Sequence, residues 1–218
     1  MADAPARRVE VYWSLQSPYC YLLLDRLLWL DAQADVTVAI RPVLPGVLRL
    51  AETYRRRGAR EQAYFDRDTA RTAAFEGMSF APPEPSPVAF VPGEGWVAEP
   101  DQPRIGRLYD LFVSACRAGR ALTFLDHVMR LIWDGRTRGW DTGDHLERAV
   151  RAAGLEPAKL QAEAAADPER IADTLAANAQ AMLEAGHHGV PLMVLDSEPF
   201  YGQDRFDQLL WRLGMSRS

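Results

Sequence analysis

The sequence predicts an α/β fold in which both ends of the chain build one sheet and a long helical stretch is inserted between them. Three observations predict it. Between Val9 and Ile40 the pattern runs strand, helix, strand. From Leu192 to Leu213 it runs strand, strand, helix. Between Val47 and Ala185 the apolar residues recur mostly at helical spacing.

In chain order, Val9 to Leu15 is β-rich and apolar and reads as the first strand. Tyr19 to Ala32 reads as the first helix, and Val36-Thr37-Val38-Ala39-Ile40 as a second strand ended by Pro42 and Pro45-Gly46. A strand, a helix of about a dozen residues and another strand imply a parallel pairing. Ile105, Leu108, Leu111, Phe112 and Ala115 form one helical stripe, and Leu122, Leu125, Val128, Met129 and Ile132 another. Asp167-Pro168 reads as an N-cap with Pro at the first helical position. Ile171, Leu175, Ala179 and Met182 follow as a stripe, and Gly186 supplies the stop. All of these stripes read as core faces. Residues 81–103 hold seven of the fifteen prolines, together with Phe90 and Trp96, and read as a long loop or flap, a candidate lid. Near the C-terminus, Leu192 to Leu195 is a strand, Asp196-Ser197-Glu198 a turn, and Phe200-Tyr201 the start of another strand. Asp204 then caps a final helix from Arg205 to Leu213. The closing ββα completes a thioredoxin-like fold. Residues 1–46 and 186–218 are expected to form that domain, with 47–185 as a helical insertion domain.

With 218 residues, 48% of them apolar, the chain can bury a sizeable core. The net charge of −5 leaves no nucleic-acid footprint. No apolar run approaches the roughly 20 residues of a membrane span, and Met1 to Arg8 lacks the apolar core of a signal peptide. Nucleic acid and membrane are therefore not expected as partners, and a cytoplasmic location is. Cys20 and Cys116 do not make a disulfide framework. The four histidines show no metal-ligand spacing, so no metal is expected. There is no Gly-x-Ser-x-Gly elbow for a serine hydrolase.

The chemistry concentrates at Ser17-Pro18-Tyr19-Cys20, where the first strand turns into the first helix. Such a corner aims backbone N–H groups and the positive end of a helix dipole at its occupant, an environment that favours a thiolate. Ser17 by itself reads as a helix N-cap. The run Val9-Glu10-Val11-Tyr12-Trp13-Ser14-Leu15-Gln16-Ser17-Pro18-Tyr19-Cys20-Tyr21, with Gly189-Val190-Pro191 and Tyr201-Gly202-Gln203-Asp204-Arg205 near the other end, resembles the 2-hydroxychromene-2-carboxylate isomerases and kappa-class glutathione transferases. These are relatives of the disulfide oxidant DsbA. Arg41-Pro42-Val43-Leu44 resembles the isomerase branch in particular.

That resemblance implies reduced glutathione as cofactor and Ser17 as the catalytic residue, donating a hydrogen bond to the glutathione sulfur. It implies a cis Val190-Pro191 bond, with the Val190 backbone pairing with the peptide. Gln203 and Asp204, with Arg205 beside them, would hold the γ-glutamyl end. Tyr19, Cys20 and His188 are weaker candidates for contact with the substrate. The implied partner is a small aromatic molecule from aromatic-compound catabolism, and a homodimer is the candidate assembly. The implied reaction is isomerisation of an aromatic conjugated pyruvate by reversible thiolate addition. The alternatives are a kappa-like transferase and a DsbA-like thiol–disulfide or peptide-binding protein without its first cysteine. The chain departs from the isomerases at Ser14, Cys20 and Leu192, and lacks an Asn after the Arg41 segment. The lysine that holds the glycine carboxylate in the transferases has no clear counterpart; Glu61 and Arg60 lie nearest.

Overall fold

A computed structural model describes residues 6–216. Residues 1–5 and 217–218, which the expected domain bounds include, lie outside the described residues. Strands β1 (Arg7–Trp13), β2 (Val36–Pro42), β3 (Leu192–Leu195) and β4 (Glu198–Tyr201) form one sheet in the order β2-β1-β3-β4. β1 runs parallel to β2, with Val9 opposite Val38, and antiparallel to β3, with Val11 opposite Met193. β3 and β4 pair antiparallel. The result is the thioredoxin-like α/β fold, with a mixed sheet made from the two ends of the chain.

β1 alternates as a central strand must when both faces are covered. Val9, Val11 and Trp13 enter the large core, which includes Leu23 and Leu27 of helix α1 (Pro18–Asp31). Tyr12 turns the other way and packs with Leu192, Val194 and Met182 of helix α9 (Pro168–Glu184). The large core continues without a break from the sheet into helices α5 (Pro103–Arg117) and α6 (Ala121–Trp133), through Leu108, Phe112, Phe124 and Val128. Between β2 and α5 lie α2 (Gly46–Arg49), α3 (Ala51–Arg55) and α4 (Ala59–Phe75). Helices α7 (His145–Ala152) and α8 (Pro157–Ala166) follow α6. Asn178, buried on α9, donates 2.9 Å to the Pro42 carbonyl and ties this helix to the end of β2.

Several element bounds depart from the sequence reading. β1 stops at Trp13, because Ser14 to Ser17 close a turn in which Ser17 N donates to Ser14 O at 3.1 Å. β2 runs on to Pro42, which pairs opposite Trp13; as the last residue of an edge strand it needs no ladder N–H. Glu198 belongs to β4. The turn is the pair Asp196-Ser197, both at positive φ, as a two-residue hairpin with right-handed strand twist demands. Asp204 does not cap the final helix. Helix α10 (Phe206–Leu213) is preceded by a 3-10 turn over Gln203–Arg205, and Asp204 is paired instead with Arg205 at 3.1 Å.

Residues 81–103 are a built wall. Phe90 bridges Ala98, and the Gln102 side chain bonds both the N–H and the C=O of Ala89 at 2.9 Å. Trp140 Nε1 donates 2.7 Å to Pro85 O, and Val88 is fully buried.

Candidate functional site

The corner after β1 forms as its residues dictate. Pro18 at the first helical position fixes the helical φ and confines Ser17 to an extended conformation, observed at φ −92°, ψ 117°. The Ser17 hydroxyl oxygen then accepts the Cys20 N–H at 3.3 Å. A hydroxyl accepts and donates at once, so the Ser17 O–H hydrogen remains available to a ligand.

Ser17 opens onto a cavity of about 220 Å³. Its floor is the corner, from Ser14 to Tyr19. One wall is α2 and α3 with Arg49 and Tyr54, and Arg57 just beyond the end of α3. The Pro-rich segment supplies Phe90 and Trp96, α4 supplies Phe65, and the loop before β3 supplies His188, Gly189 and Val190. Gln16 locks the Pro-rich wall to the corner: its amide oxygen accepts the Val88 N–H at 2.9 Å and its amide N–H donates to Ser86 Oγ at 3.2 Å.

The remaining site residues fall into two groups. Tyr19, His188 and Val190 line the cavity with Ser17. The Val190-Pro191 bond is cis. Among the described residues the Val190 N–H and C=O have no hydrogen-bond partner. Tyr19 donates 2.6 Å to Asp68, a bond that holds the Asp68 carboxyl below the usual carboxylate range. Burial and that same bond push the Tyr19 phenol up. Cys20, Pro191, Gln203, Asp204 and Arg205 do not line the cavity. Cys20 is fully buried, its Sγ accepting the Ser14 N–H at 3.5 Å, and burial pushes its thiol up to about 12. Gln203 is occupied: its backbone carbonyl accepts from Arg26 at 3.0 Å, and its amide oxygen accepts from the same buried guanidinium. Arg26 also pairs with Glu76 at 3.2 Å. Tyr201, stacked on His187 at 3.7 Å, lines the cavity where the chain approaches that segment. A Cβ at Gly189 would collide with the Tyr201 ring, which explains the glycine.

The sequence reading missed Arg49, Tyr54 and Arg57. Arg49 is a strut, donating to Leu44 O at 2.8 Å and His188 O at 3.0 Å. Arg57 lies two residues past the end of α3, where its N–H donates to Tyr54 O at 3.0 Å, and the spacing of three from Tyr54 was the one local signal that the two are neighbours. Trp96 meets Tyr54 and Phe65 edge-on, with centroids 5.8 and 5.5 Å apart.

Neither cysteine of the chain supplies a thiolate at neutral pH, since burial also pushes Cys116 up to about 12. Among the described residues no group of three or more His, Cys, Asp or Glu side chains could hold a metal ion. Among them, too, no helix is long and apolar enough to cross a membrane.

Solved structures share this fold. A 2-hydroxychromene-2-carboxylate isomerase is 21% identical, with a TM-score of 0.65 over 95% of this chain and 94% of the other. A probable DsbA oxidoreductase from Streptomyces coelicolor is 23% identical, with a TM-score of 0.64 over 97% and 92%. The cytosolic disulfide reductase DsbM from Pseudomonas aeruginosa is 13% identical, with a TM-score of 0.60 over 94% and 98%. At these identities the likeness is one of fold. No curated protein matches by sequence. The DSBA-like thioredoxin domain matches residues 8–214, nearly the whole chain with its Ser17 corner and Val190-Pro191 loop: this protein belongs to the DSBA-like thioredoxin domain family.

Proposed function

We propose that the protein is a glutathione-dependent isomerase of the 2-hydroxychromene-2-carboxylate type, working in the cytoplasm on an aromatic conjugated pyruvate. The observation that carries the reading is the state of the corner. Ser17 presents a hydroxyl whose hydrogen is free to donate, while both protein thiols are held protonated by burial. A site of thiol-handling architecture without a usable thiol of its own is suited to borrowing one. The open N–H and C=O of Val190 suit pairing with an extended peptide such as glutathione.

In this reading Ser17 donates to the glutathione sulfur and favours its thiolate. The thiolate adds to the conjugated system of the substrate: an S–C bond forms and the C=C π bond breaks, with its electron pair delocalised toward the carbonyl. Rotation about the new single bond follows. Elimination restores the double bond and releases the thiolate, so nothing is consumed. The aromatic walls formed by Phe65, Phe90 and Trp96 suit an aromatic substrate. Gln203, Asp204 and Arg205 lie outside the cavity, so any hold on the γ-glutamyl end would require that segment to move. Dithiol exchange needs a second thiol beside Cys20, and Ser17 stands in its place.

Calorimetry and thermal melting with reduced glutathione test the reading. At about 100 times its dissociation constant a ligand stabilises by roughly 2.7 kcal/mol. A flat melting temperature up to millimolar glutathione, with no heat of binding, would overturn it. Product analysis with an aromatic pyruvate separates isomerisation from conjugate formation by a kappa-like transferase.

A further inference from the structure

We infer that Arg57 is the residue that selects the ligand's charge: its guanidinium takes the carboxylate of a planar aromatic ligand whose ring packs among Tyr54, Phe65 and Trp96. The inference deepens the function proposed above and rests on it for the reaction, but not for the binding. Arg57 lies over the ring of Tyr54, 4.3 Å from its centroid, and over Trp96 at 5.1 Å. Its backbone N–H donates to Tyr54 O at 3.0 Å, but among the described residues its guanidinium makes no ion pair and no hydrogen bond, whereas the other arginine of the cavity, Arg49, is spent on two backbone carbonyls. Among the described residues no aspartate or glutamate lines the cavity; Arg60 and Glu61 line the adjoining cleft that shares Arg57, Phe65 and Trp96. The nearest acid along the chain, Glu61, is turned to the Gly58 N–H at 3.0 Å. Ring contacts engage the face of a guanidinium and leave the N–H groups on its edge, which form the planar fork that matches a carboxylate. A cationic edge without a partner, at the mouth of an aromatic cavity free of acids, selects an aromatic carboxylate over its neutral analogue.

The probes are 2-naphthoate and 2-naphthamide, which share a ring system and differ in charge. Calorimetry is run on the full chain and on Arg57→Gln and Arg57→Lys. The parent is expected to bind the acid about 10- to 150-fold more tightly than the amide, the range for hydrogen bonds to a charged group. Arg57→Gln should erase that preference with amide affinity unchanged, and Arg57→Lys should restore part of it. Amide binding by Arg57→Gln also reports that the cavity is intact. A parent without preference, or a preference that survives in Arg57→Gln, overturns the assignment. So does a loss confined to glutathione and absent from its glycine ester, which would give Arg57 to the thiol peptide. If naphthoate selectivity behaves as expected while glutathione fails to bind, the assignment of Arg57 stands and the thiol reading falls.

Discussion

Ser17 holds two positions at once, and substitution can pull them apart. Its oxygen caps α1 through the 3.3 Å bond from Cys20 N–H, and its O–H, with no acceptor among the described residues, is left to donate to a ligand in the cavity that Ser17 lines. Ser17→Ala removes both functions. Loss of a serine cap costs about 1 kcal/mol, and a chain of this size loses roughly 2–4 °C of melting temperature per kcal/mol. Loss of the hydrogen bond to the thiolate removes about 1.5–3 kcal/mol, which raises the pKa of bound glutathione by about one to two units and slows turnover about 10- to 150-fold. Ser17→Gly costs only a few tenths of a kcal/mol as a cap, but it loses the same thiolate bond. Ser17→Asp keeps the cap, because a carboxylate accepts the Cys20 N–H, yet it places a negative charge beside the sulfur. The expected order of stability is therefore parent and Asp, then Gly, then Ala. The expected order of thiolate formation is parent first, Ala and Gly together, and Asp last. Thermal melting gives the first order. Ultraviolet thiolate absorbance of the glutathione complex against pH gives the second. If thiolate formation simply follows stability, with Asp equal to the parent, Ser17 is only a cap and the proposed chemistry is wrong.

Two further predictions rest on buried groups. With the Cys20 thiol pushed up to about 12, about one molecule in ten thousand carries the thiolate at pH 8, so iodoacetamide should modify Cys20 in the native protein only through unfolding. The same raised value means that Cys20 contributes stability in full below the unfolded thiol value and loses it as pH rises toward 12. Cys20→Ala should flatten that alkaline decline in urea titrations; an unchanged decline refutes the burial argument. Asn178→Ala leaves the Pro42 carbonyl without its 2.9 Å donor and should destabilise the protein by about 1–3 kcal/mol in urea unfolding; a loss below a few tenths would show that water replaces the amide.

Much of the architecture was written in local pattern. The β-rich apolar run from Val9, Ser17-Pro18 and Asp167-Pro168 at helix starts and Gly186 at a helix stop are nearest-neighbour signals, and each appears where its residues put it. The resemblance placed a cis proline at 191, as found. Asp204 was misread because a cap depends on where the helix begins, and the 3-10 turn over Gln203–Arg205 moved that start by one residue. The site was legible only in part. Ser17, Tyr19, His188 and Val190 line one cavity, while Gln203, outside its lining, is bonded to a guanidinium 177 residues earlier in the chain. Arg26 sits on the apolar helix α1, where nothing local announces a partner. The aromatic wall draws on Tyr54, Phe65 and Trp96 from three separate segments. Sequence by itself determines which backbone conformations are cheap and which faces must be buried. Which distant side chains satisfy a buried charge or close a cavity is decided by packing, because those partners are chosen across the whole chain and leave no periodic trace.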